Sequence, residues 1–253
     1  MFPKDTVMPP CAGVGVGANR IHEPSQRNNV ADLAIYDMDR TVTRTGTYTP
    51  FLLHAARALN PLRLALAPMV PFTMAAYAAK LIDRRRLKEL NQWLLIGGAV
   101  PRARLHPAVE SFAELVLKTN IHPGALRQIA EDRRAGRRLV LATASYRFYV
   151  EAIAERLGFD DVIATGSVAG LDDIIHARID GDNNYGPAKL RLIEAWMEEQ
   201  RIDRASVKVR FYSDHVSDWP ALAWADEPFA VNPSRGLRHM AAKRGWQVVD
   251  WGM

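Results

Sequence analysis

The apolar residues of this chain gather into short runs that are separated by longer segments with helical periodicity. Residues 33–36, 138–142 and 207–212 form three such runs, and each ends abruptly in polar residues, as buried parallel strands do. Residues 162–164 and 229–231 are two further strand candidates. The pattern predicts a sheet built from these strands.

Amphipathic helical patterns lie between and around the predicted strands. Ser145 is placed to cap the helix after the second strand, and Gly158 is placed to end it. Because strands that alternate with helices form a parallel sheet covered on both faces, we predict an α/β, Rossmann-like fold. The predicted helices are 109–117, 125–134, 146–157 and 188–200.

A long helical insert interrupts the alternation directly after the first strand. Residues 48–122 carry helical patterns and contain no convincing strand. We therefore predict a core formed by residues 31–47 and 123–253, with a cap at 48–122. Residues 1–30 are predicted to be a flexible tail without a signal peptide, because they hold Pro, Gly, Asn and charges but no continuous apolar run.

Within this insert, residues 64–79 carry no charge at all. Arg63 and Lys80 bracket the segment, a basic cluster at 84–88 follows it, and two prolines interrupt it. The segment is too short and broken to be read as a spanning helix. Two alternatives stay open. The first is a pair of cap helices that bury each other, with a dimer interface as one setting for them. The second is a kinked helix or shallow hairpin that inserts into a membrane surface, with its basic flanks on anionic headgroups.

Charge and cysteine content narrow the possible partners. The formal net charge of +5 favours anionic partners, such as phosphorylated metabolites or anionic lipid. Nucleic acid is not predicted, because the basic residues are scattered and no aromatic stacking pattern accompanies them. The single cysteine, Cys11, excludes a disulfide scaffold and a cysteine-based zinc site, and it is consistent with a cytoplasmic location.

Two carboxylates follow the first predicted strand. Extended backbone would point Asp37 and Asp39 to the same side. Two acids so close repel each other unless a cation neutralises them, and their hard oxygens suit Mg²⁺. A carboxylate beside Mg²⁺ can attack a phosphoryl group, because the metal offsets the repulsion between the two anions.

The ends of other elements supply groups for the same chemistry. Asp214 follows a strand and is placed to complete a metal shell that Asp218 supports from behind. Thr143 lies where a helix is predicted to begin, so its hydroxyl and the next amides form an anion site. Lys189 brings a positive charge to the same phosphate. All of these groups are predicted to meet beyond the carboxyl ends of the parallel strands.

These motifs, in this order, resemble the four signatures of the haloacid dehalogenase superfamily. The insert resembles the C1 cap of subclass IB, which includes phosphoserine phosphatase-like and phosphatidylglycerophosphatase C-like enzymes. The signatures are Asp37-x-Asp39-x-Thr41, then Thr143-Ala144-Ser145, then Lys189, then Ser213-Asp214-His215-Val216-Ser217-Asp218.

The resemblance implies a Mg²⁺-dependent phosphatase with a specific set of roles. Asp37 would be the nucleophile, and Asp39 would bind the metal through its carbonyl and act as general acid, then base. Arg40 stands where many members carry Gly, so its side chain is expected to face the substrate or the cap. Lys189 would serve both catalysis and phosphate binding. The implied substrate-binding residues are Thr143, Ala144, Lys189 and Arg40. The implied metal ligands are Asp37, Asp39, Asp214 and Asp218.

The implied substrate is a phosphorylated small molecule, with a lipid phosphate as the alternative. The apolar insert followed by Arg-rich sequence resembles phosphatidylglycerophosphatase C-type enzymes. In that case residues 62–88 would contact the inner face of the membrane. A phosphotransferase would use the same catalytic residues, so this third alternative also stays open.

Overall fold

The computed structural model describes residues 31–169 and 173–252, so the predicted tail and Cys11 lie outside the described residues. Five of the seven strand pairings in the described part are parallel, which confirms the predicted α/β class. The strands are β1 Leu33–Tyr36, β2 Ala99–Pro101, β3 Arg138–Tyr146, β4 Asp161–Ala169, β5 Ile174–Asp180, β6 Val209–Ser213, β7 Glu227–Val231 and β8 Gln247–Val249. They form one sheet in the order β2-β5-β4-β3-β1-β6-β7-β8, in which β5 pairs antiparallel with β2 and β4.

Helices cover both faces of this sheet. β1 lies in the middle, and its side chains alternate between two apolar layers: Ala34 and Tyr36 enter one, and Leu33 and Ile35 enter the other. A strand buried on both faces must be apolar throughout, which is why residues 33–36 were predictable. The helices are α1 Tyr48–Leu59, α2 Val70–Ala78, α3 Arg84–Leu95, α4 Arg102–Thr119, α5 Pro123–Arg134, α6 Arg147–Leu157, α7 Pro187–Glu199, α8 Trp219–Trp224 and α9 Arg235–Arg244.

A buried carboxylate ties the two central strands together behind the site. Tyr36 on β1 and Tyr212 on β6 stack with ring centroids 4.4 Å apart, and their hydroxyls donate to Asp132 of α5 at 2.5 and 2.9 Å. Arg210 balances the charge of Asp132 at 2.8 Å. This arrangement fixes the ends of β1 and β6, from which the next residues enter the site.

Several sequence-based boundaries are wrong in detail. β3 continues through Tyr146, and three short strands were not predicted: β2, β5 and β8. β2 also contradicts the expectation that the insert contains no strand. Its three residues acquire strand geometry by pairing with β5, a tertiary contact that leaves no periodic pattern in the sequence.

The start of α6 is a second correction. The helix begins at Arg147, and no side-chain hydrogen bond caps it. Ser145 is not its N-cap, because the Ser145 hydroxyl donates to the carboxylate of Asp39 instead. Gly158 ends the helix in the left-handed conformation, with φ 76°, as predicted.

Helix α3 ties the insert to the sheet. Arg85 donates to the carbonyl of Ile179 at 2.5 Å, and Glu89 accepts from the Ile179 amide at 3.0 Å. Since Ile179 belongs to β5, backbone groups of the β4–β5 hairpin anchor the insert. The division of the chain into a core and a cap at residues 48–122 stays a prediction.

The apolar segment of the insert forms a 3-10 helix, Pro61–Met69, followed by α2. The two helices do not bury each other: the first buries none of its residues, and α2 buries only Val70. Leu62, Phe72 and Leu81 are 83%, 68% and 77% exposed. The expectation that these helices bury each other is therefore wrong for this surface.

Candidate active site

A cavity of about 530 Å³ opens at the carboxyl ends of β1, β3 and β6. Polar side chains from these strand ends form its floor, and residues of the insert form its opposite wall. The cavity brings together all eight side chains that the sequence singled out, namely Asp37, Asp39, Arg40, Thr143, Ala144, Lys189, Asp214 and Asp218.

The backbone after β1 is not the continuous extended segment that we expected. Residues 38–42 form a π-helical turn, within which Asp39 has φ −71° and ψ 117° and Arg40 has φ 67°. The turn brings Thr41 back beneath Asp37, so that its hydroxyl donates to Asp37 Oδ2 at 3.0 Å. The two acids therefore face the cavity through a specific turn rather than through strand alternation.

Asp37 is buried and paired. Its Oδ1 accepts from Lys189 Nζ at 2.6 Å. Burial raises the pKa of Asp37 to about 7, and the charge of Lys189 only partly opposes this effect. Asp218 and Asp214 raise the pKa further by repulsion. The single positive charge of Lys189 is thus too little to balance Asp37 together with these two carboxylates.

Asp214 is a second carboxylate in the site with a raised pKa. Its backbone amide donates to the Thr41 hydroxyl at 3.0 Å, and its Oδ1 lies 3.5 Å from that hydroxyl, so Thr41 stands between Asp37 and Asp214. Burial, followed by repulsion from Asp218, raises the pKa of Asp214 to about 6. Thr41 was part of the first motif, but its bridging role was not predicted.

Asp218 lines the cavity and pairs with Lys189. Its Oδ2 accepts from Lys189 Nζ at 2.7 Å and from the Ser213 hydroxyl at 2.8 Å. Burial opposes the charge of Lys189, yet the attraction of Asp218 and Asp37 outweighs it and raises the pKa of Lys189 above its ordinary value. Lys189 is therefore a permanent cation, held between two carboxylates.

The donor set fits Mg²⁺, although not as a cage made only of protein. Among residues 31–169 and 173–252, no three His, Cys, Asp or Glu side chains are grouped as metal ligands. Two carboxylates, on Asp37 and Asp214, remain near one hydroxyl, and both have raised pKa values that a divalent cation would lower. Mg²⁺ is commonly bound by one or two carboxylates, with waters and substrate phosphate completing its shell.

Three donors hold the carboxylate of Asp39. Oδ1 accepts from the Thr47 amide and the Thr47 hydroxyl, both at 2.7 Å. Oδ2 accepts from the Ser145 hydroxyl at 2.7 Å. Thr47 was missed by the sequence reasoning, and Ser145, a member of the second motif, was assigned a different role. No sequence signal marked Thr47, because it lies outside the motifs.

The C-terminal end of β3 contributes to the cavity differently from the prediction. Thr143 accepts from the Ser145 amide at 3.1 Å, but α6 begins four residues later, so Thr143 does not lie at a helix start. The carbonyl of Ala144 accepts from Lys88 Nζ at 2.6 Å and from Thr165 at 2.8 Å. Side-chain hydrogen bonds, one of them from a lysine of the insert, thus hold this end of the strand.

Lys88, on α3, is a buried site residue that the sequence did not reveal. Burial, assisted by repulsion from Arg84, lowers the pKa of Lys88 to about 7, while Asp39 acts in the opposite direction. Its ammonium group also lies 4.4 Å from the centroid of the Tyr146 ring. In the sequence, Lys88 was one member of a basic cluster, and nothing separated it from a solvated surface charge.

The chain resembles several known proteins. A family model for haloacid dehalogenase-like hydrolases matches residues 34–223. The inhibition of morphological differentiation protein of Streptomyces azureus is 29% identical over 86% of this chain and 78% of its own length. A probable phosphatase of Mycobacterium tuberculosis is 31% identical over 86% of this chain and 75% of its own. A crystal structure of a protein of unknown function from Bordetella pertussis Tohama I matches with TM-score 0.78 and 26% identity, covering 88% of this chain and 99% of that one.

Proposed function

The chain belongs to the haloacid dehalogenase-like hydrolase family and is a phosphatase, and we propose that it hydrolyses phosphomonoesters with Mg²⁺ through an aspartyl-phosphate on Asp37. The observation that carries this proposal is the pairing of buried Asp37 with Lys189 at 2.6 Å, beside Asp214 and within one cavity. A carboxylate held between a fixed cation and a divalent-metal position is suited to attack phosphorus.

In the first step, a carboxylate oxygen of Asp37 forms a bond to phosphorus while the bond from phosphorus to the leaving oxygen breaks. Asp39 gives a proton to that oxygen, and the product alcohol departs. In the second step, Asp39 takes a proton from water, whose oxygen attacks phosphorus and releases Asp37. Lys189 offsets negative charge on Asp37 throughout. When bound at Asp37, Asp214 and the Asp39 carbonyl, Mg²⁺ would supply Lewis-acid stabilisation of the phosphoryl oxygens.

Substitution of the nucleophile tests this mechanism directly. Asp37→Asn keeps the shape of the side chain and should abolish turnover of a phosphomonoester panel that includes phosphoserine, sugar phosphates and phosphatidylglycerophosphate. Asp182→Asn is the matched control, because Asp182 is exposed and, among the described residues, its ion pair is with Arg191 at the surface. Appreciable activity in Asp37→Asn, with Mg²⁺ present, would refute the assignment. Free phosphate as the product distinguishes hydrolysis from transfer to another alcohol.

A lipid phosphate is the second candidate substrate, because the exposed apolar surface of the insert reaches the cavity. Met74 and Tyr77 of α2 line the cavity, and they are also 54% and 36% exposed. An apolar substrate tail could therefore leave the cavity along α2. Contact of residues 62–88 with an anionic membrane surface belongs to the same proposal. No helix in the described part of the chain has the length and apolar character to span a bilayer.

Vesicle flotation separates the lipid candidate from a small-metabolite phosphatase. The full chain should float with vesicles that contain anionic phospholipid, and Phe72→Asp together with Leu62→Asp should reduce the bound fraction. The same double variant should keep its activity on a water-soluble phosphomonoester. Absence of flotation by the unmodified protein would contradict the membrane candidate and leave a small phosphorylated metabolite as the substrate class.

A further inference from the structure

Two arginines that line the catalytic cavity form no close ion pair with a described carboxylate. Arg40 and Arg84 both line the cavity that contains Asp37. Within residues 31–169 and 173–252, neither side chain forms an ion pair with a carboxylate, whereas Arg85 and Arg86, next along α3, both pair with Glu89. A guanidinium group that faces a cavity without a carboxylate is available to an anionic ligand.

The position of Arg84 is set by stacking. Its guanidinium carbon lies 3.9 Å from the centroid of the Tyr185 ring, and the side chain is half-buried. Stacking occupies the face of the guanidinium group and leaves its N–H groups free at the edge, which is the geometry that suits two-pronged binding of carboxylate or phosphate. Arg84 is therefore oriented in advance while its hydrogen-bond donors stay unused.

Arg40 reaches the cavity from the turn after β1, and its backbone conformation is unfavourable. With φ 67° it occupies the left-handed region that side chains other than Gly rarely adopt. The turn is held by the Arg40 amide, which donates to the Thr43 hydroxyl at 3.3 Å. A glycine would fit this backbone with less strain, so the presence of an exposed arginine calls for a use of its side chain.

The two arginines line the same cavity as Asp37. Arg40 follows β1 and Arg84 begins α3, so the two residues reach the cavity from different elements. The aromatic and apolar residues Tyr48, Pro50, Met74, Tyr77 and Leu87 also line this cavity.

We infer that Arg40 and Arg84 form a second anion-binding subsite, which holds a carboxylate or a second phosphate carried by the leaving group of the substrate. The inference rests on the proposed function, since it assigns the substrate class of the same cavity. Lys189 cannot fill this role, because both of its close partners are carboxylates of the protein. The preferred substrate is thus a phosphomonoester with at least two anionic groups.

Matched substrate pairs test the subsite. Glycerol 3-phosphate and 3-phosphoglycerate differ by a carboxylate, and fructose 6-phosphate and fructose 1,6-bisphosphate differ by a phosphate. We expect kcat/KM to favour the doubly anionic member of at least one pair, and the responding pair identifies the second anion. Arg84→Gln should reduce this preference roughly tenfold or more, chiefly through KM, as expected for loss of a charge-assisted hydrogen bond.

Arg86→Gln is the control variant, because Arg86 lies on the same helix and pairs with Glu89 outside the cavity; its preference should equal that of the unmodified enzyme. Arg40→Asn, in which Asn tolerates the left-handed backbone, should also reduce the preference. Equal losses on both members of the responding pair would overturn the subsite, as would the absence of any preference in the unmodified enzyme.

Binding separates this inference from the proposed mechanism. Calorimetric titration of the Asp37→Asn variant with the same pairs measures the preference without turnover, and Arg84→Gln in that background should weaken only the doubly anionic member. A binding preference in a protein that hydrolyses none of these compounds would support the subsite and count against the proposed function. Turnover without a binding preference would support the function and refute the subsite.

Discussion

The crowding of acids around Asp37 predicts an unusual pH dependence of stability. The ordinary pKa of Asp37, which we assign to the unfolded chain, is 3.8, and burial raises it to about 7 in the folded protein, against the opposing charge of Lys189. Between these values the folded protein binds more protons than the unfolded chain, so the free energy of unfolding falls as the pH rises. Without metal, the stability present at pH 5 is lost as the pH passes through about 7.

The size of the loss follows from the shift. From pH 5 to pH 7.5, the single-site linkage for Asp37 amounts to about 2 to 3 kcal/mol. Asp214, whose pKa is raised to about 6 chiefly by burial, adds a smaller decline in the same direction. For a chain of this size, such a change lowers Tm by roughly 5 to 10 °C. Mg²⁺ should prevent most of the decline, because it binds the ionised carboxylates and not the protonated ones.

Thermal unfolding followed by circular dichroism at pH 5 and pH 7.5, with EDTA and then with Mg²⁺, measures both effects. Asp37→Asn removes the titrating group and should flatten the dependence in EDTA, whereas the surface variant Asp182→Asn should leave it unchanged. Stability in EDTA that is constant or increases from pH 5 to pH 7.5 would refute the reasoning. Equal stabilisation by Mg²⁺ at the two pH values would refute it as well.

Three further substitutions have defined outcomes. Lys189→Met removes the cation that pairs with two buried carboxylates. Chemical denaturation at neutral pH should therefore show that the free energy of unfolding falls by about 3 to 5 kcal/mol. The same substitution should reduce kcat by at least a hundredfold. Ser145→Ala removes one of three donors to Asp39 and should reduce kcat by roughly tenfold with Tm nearly unchanged; an unchanged kcat would contradict the role of Ser145. Gly124→Ala would place a Cβ 2.6 Å from the backbone of Trp251, so chemical denaturation should show a loss of about 1 to 3 kcal/mol.

The sequence predicted the floor of the site because strand ends carry a local signal. Residues 33–36 are buried on both faces and therefore apolar, so the change to Asp37 marks the end of β1 without any tertiary information. The same reasoning located Asp214 after β6. Lys189 was found through its place in the motif order, and the structure brings its ammonium group within 2.7 Å of Asp37 and Asp218.

The wall of the site was not predictable in the same way. Lys88 and Arg84 become site residues only because the insert folds back over the strand ends, and Thr47 because the chain turns toward Asp39 before α1. Lys88 lies in a basic cluster whose members have different surroundings: it is 6% exposed, whereas the side chain of Arg86 is 60% exposed. The periodicity of the sequence cannot predict which of the two lysine and arginine side chains is buried. That difference in exposure arises because α3 packs on the β4–β5 hairpin.

The hydrogen bonds of Lys88 give the insert a direct connection to the chemistry. Lys88 donates to the carbonyl of Ala144, and the next residue, Ser145, donates to the carboxylate of Asp39. The same carboxylate is held on its other side by Thr47, the residue that precedes α1 at the start of the insert. A displacement of the insert would therefore disturb the proposed acid and base from two sides, while the pairing of Asp37 with Lys189, which involves only β1 and α7, would persist. This separation predicts that changes within the insert alter proton transfer and substrate choice before they alter the nucleophile.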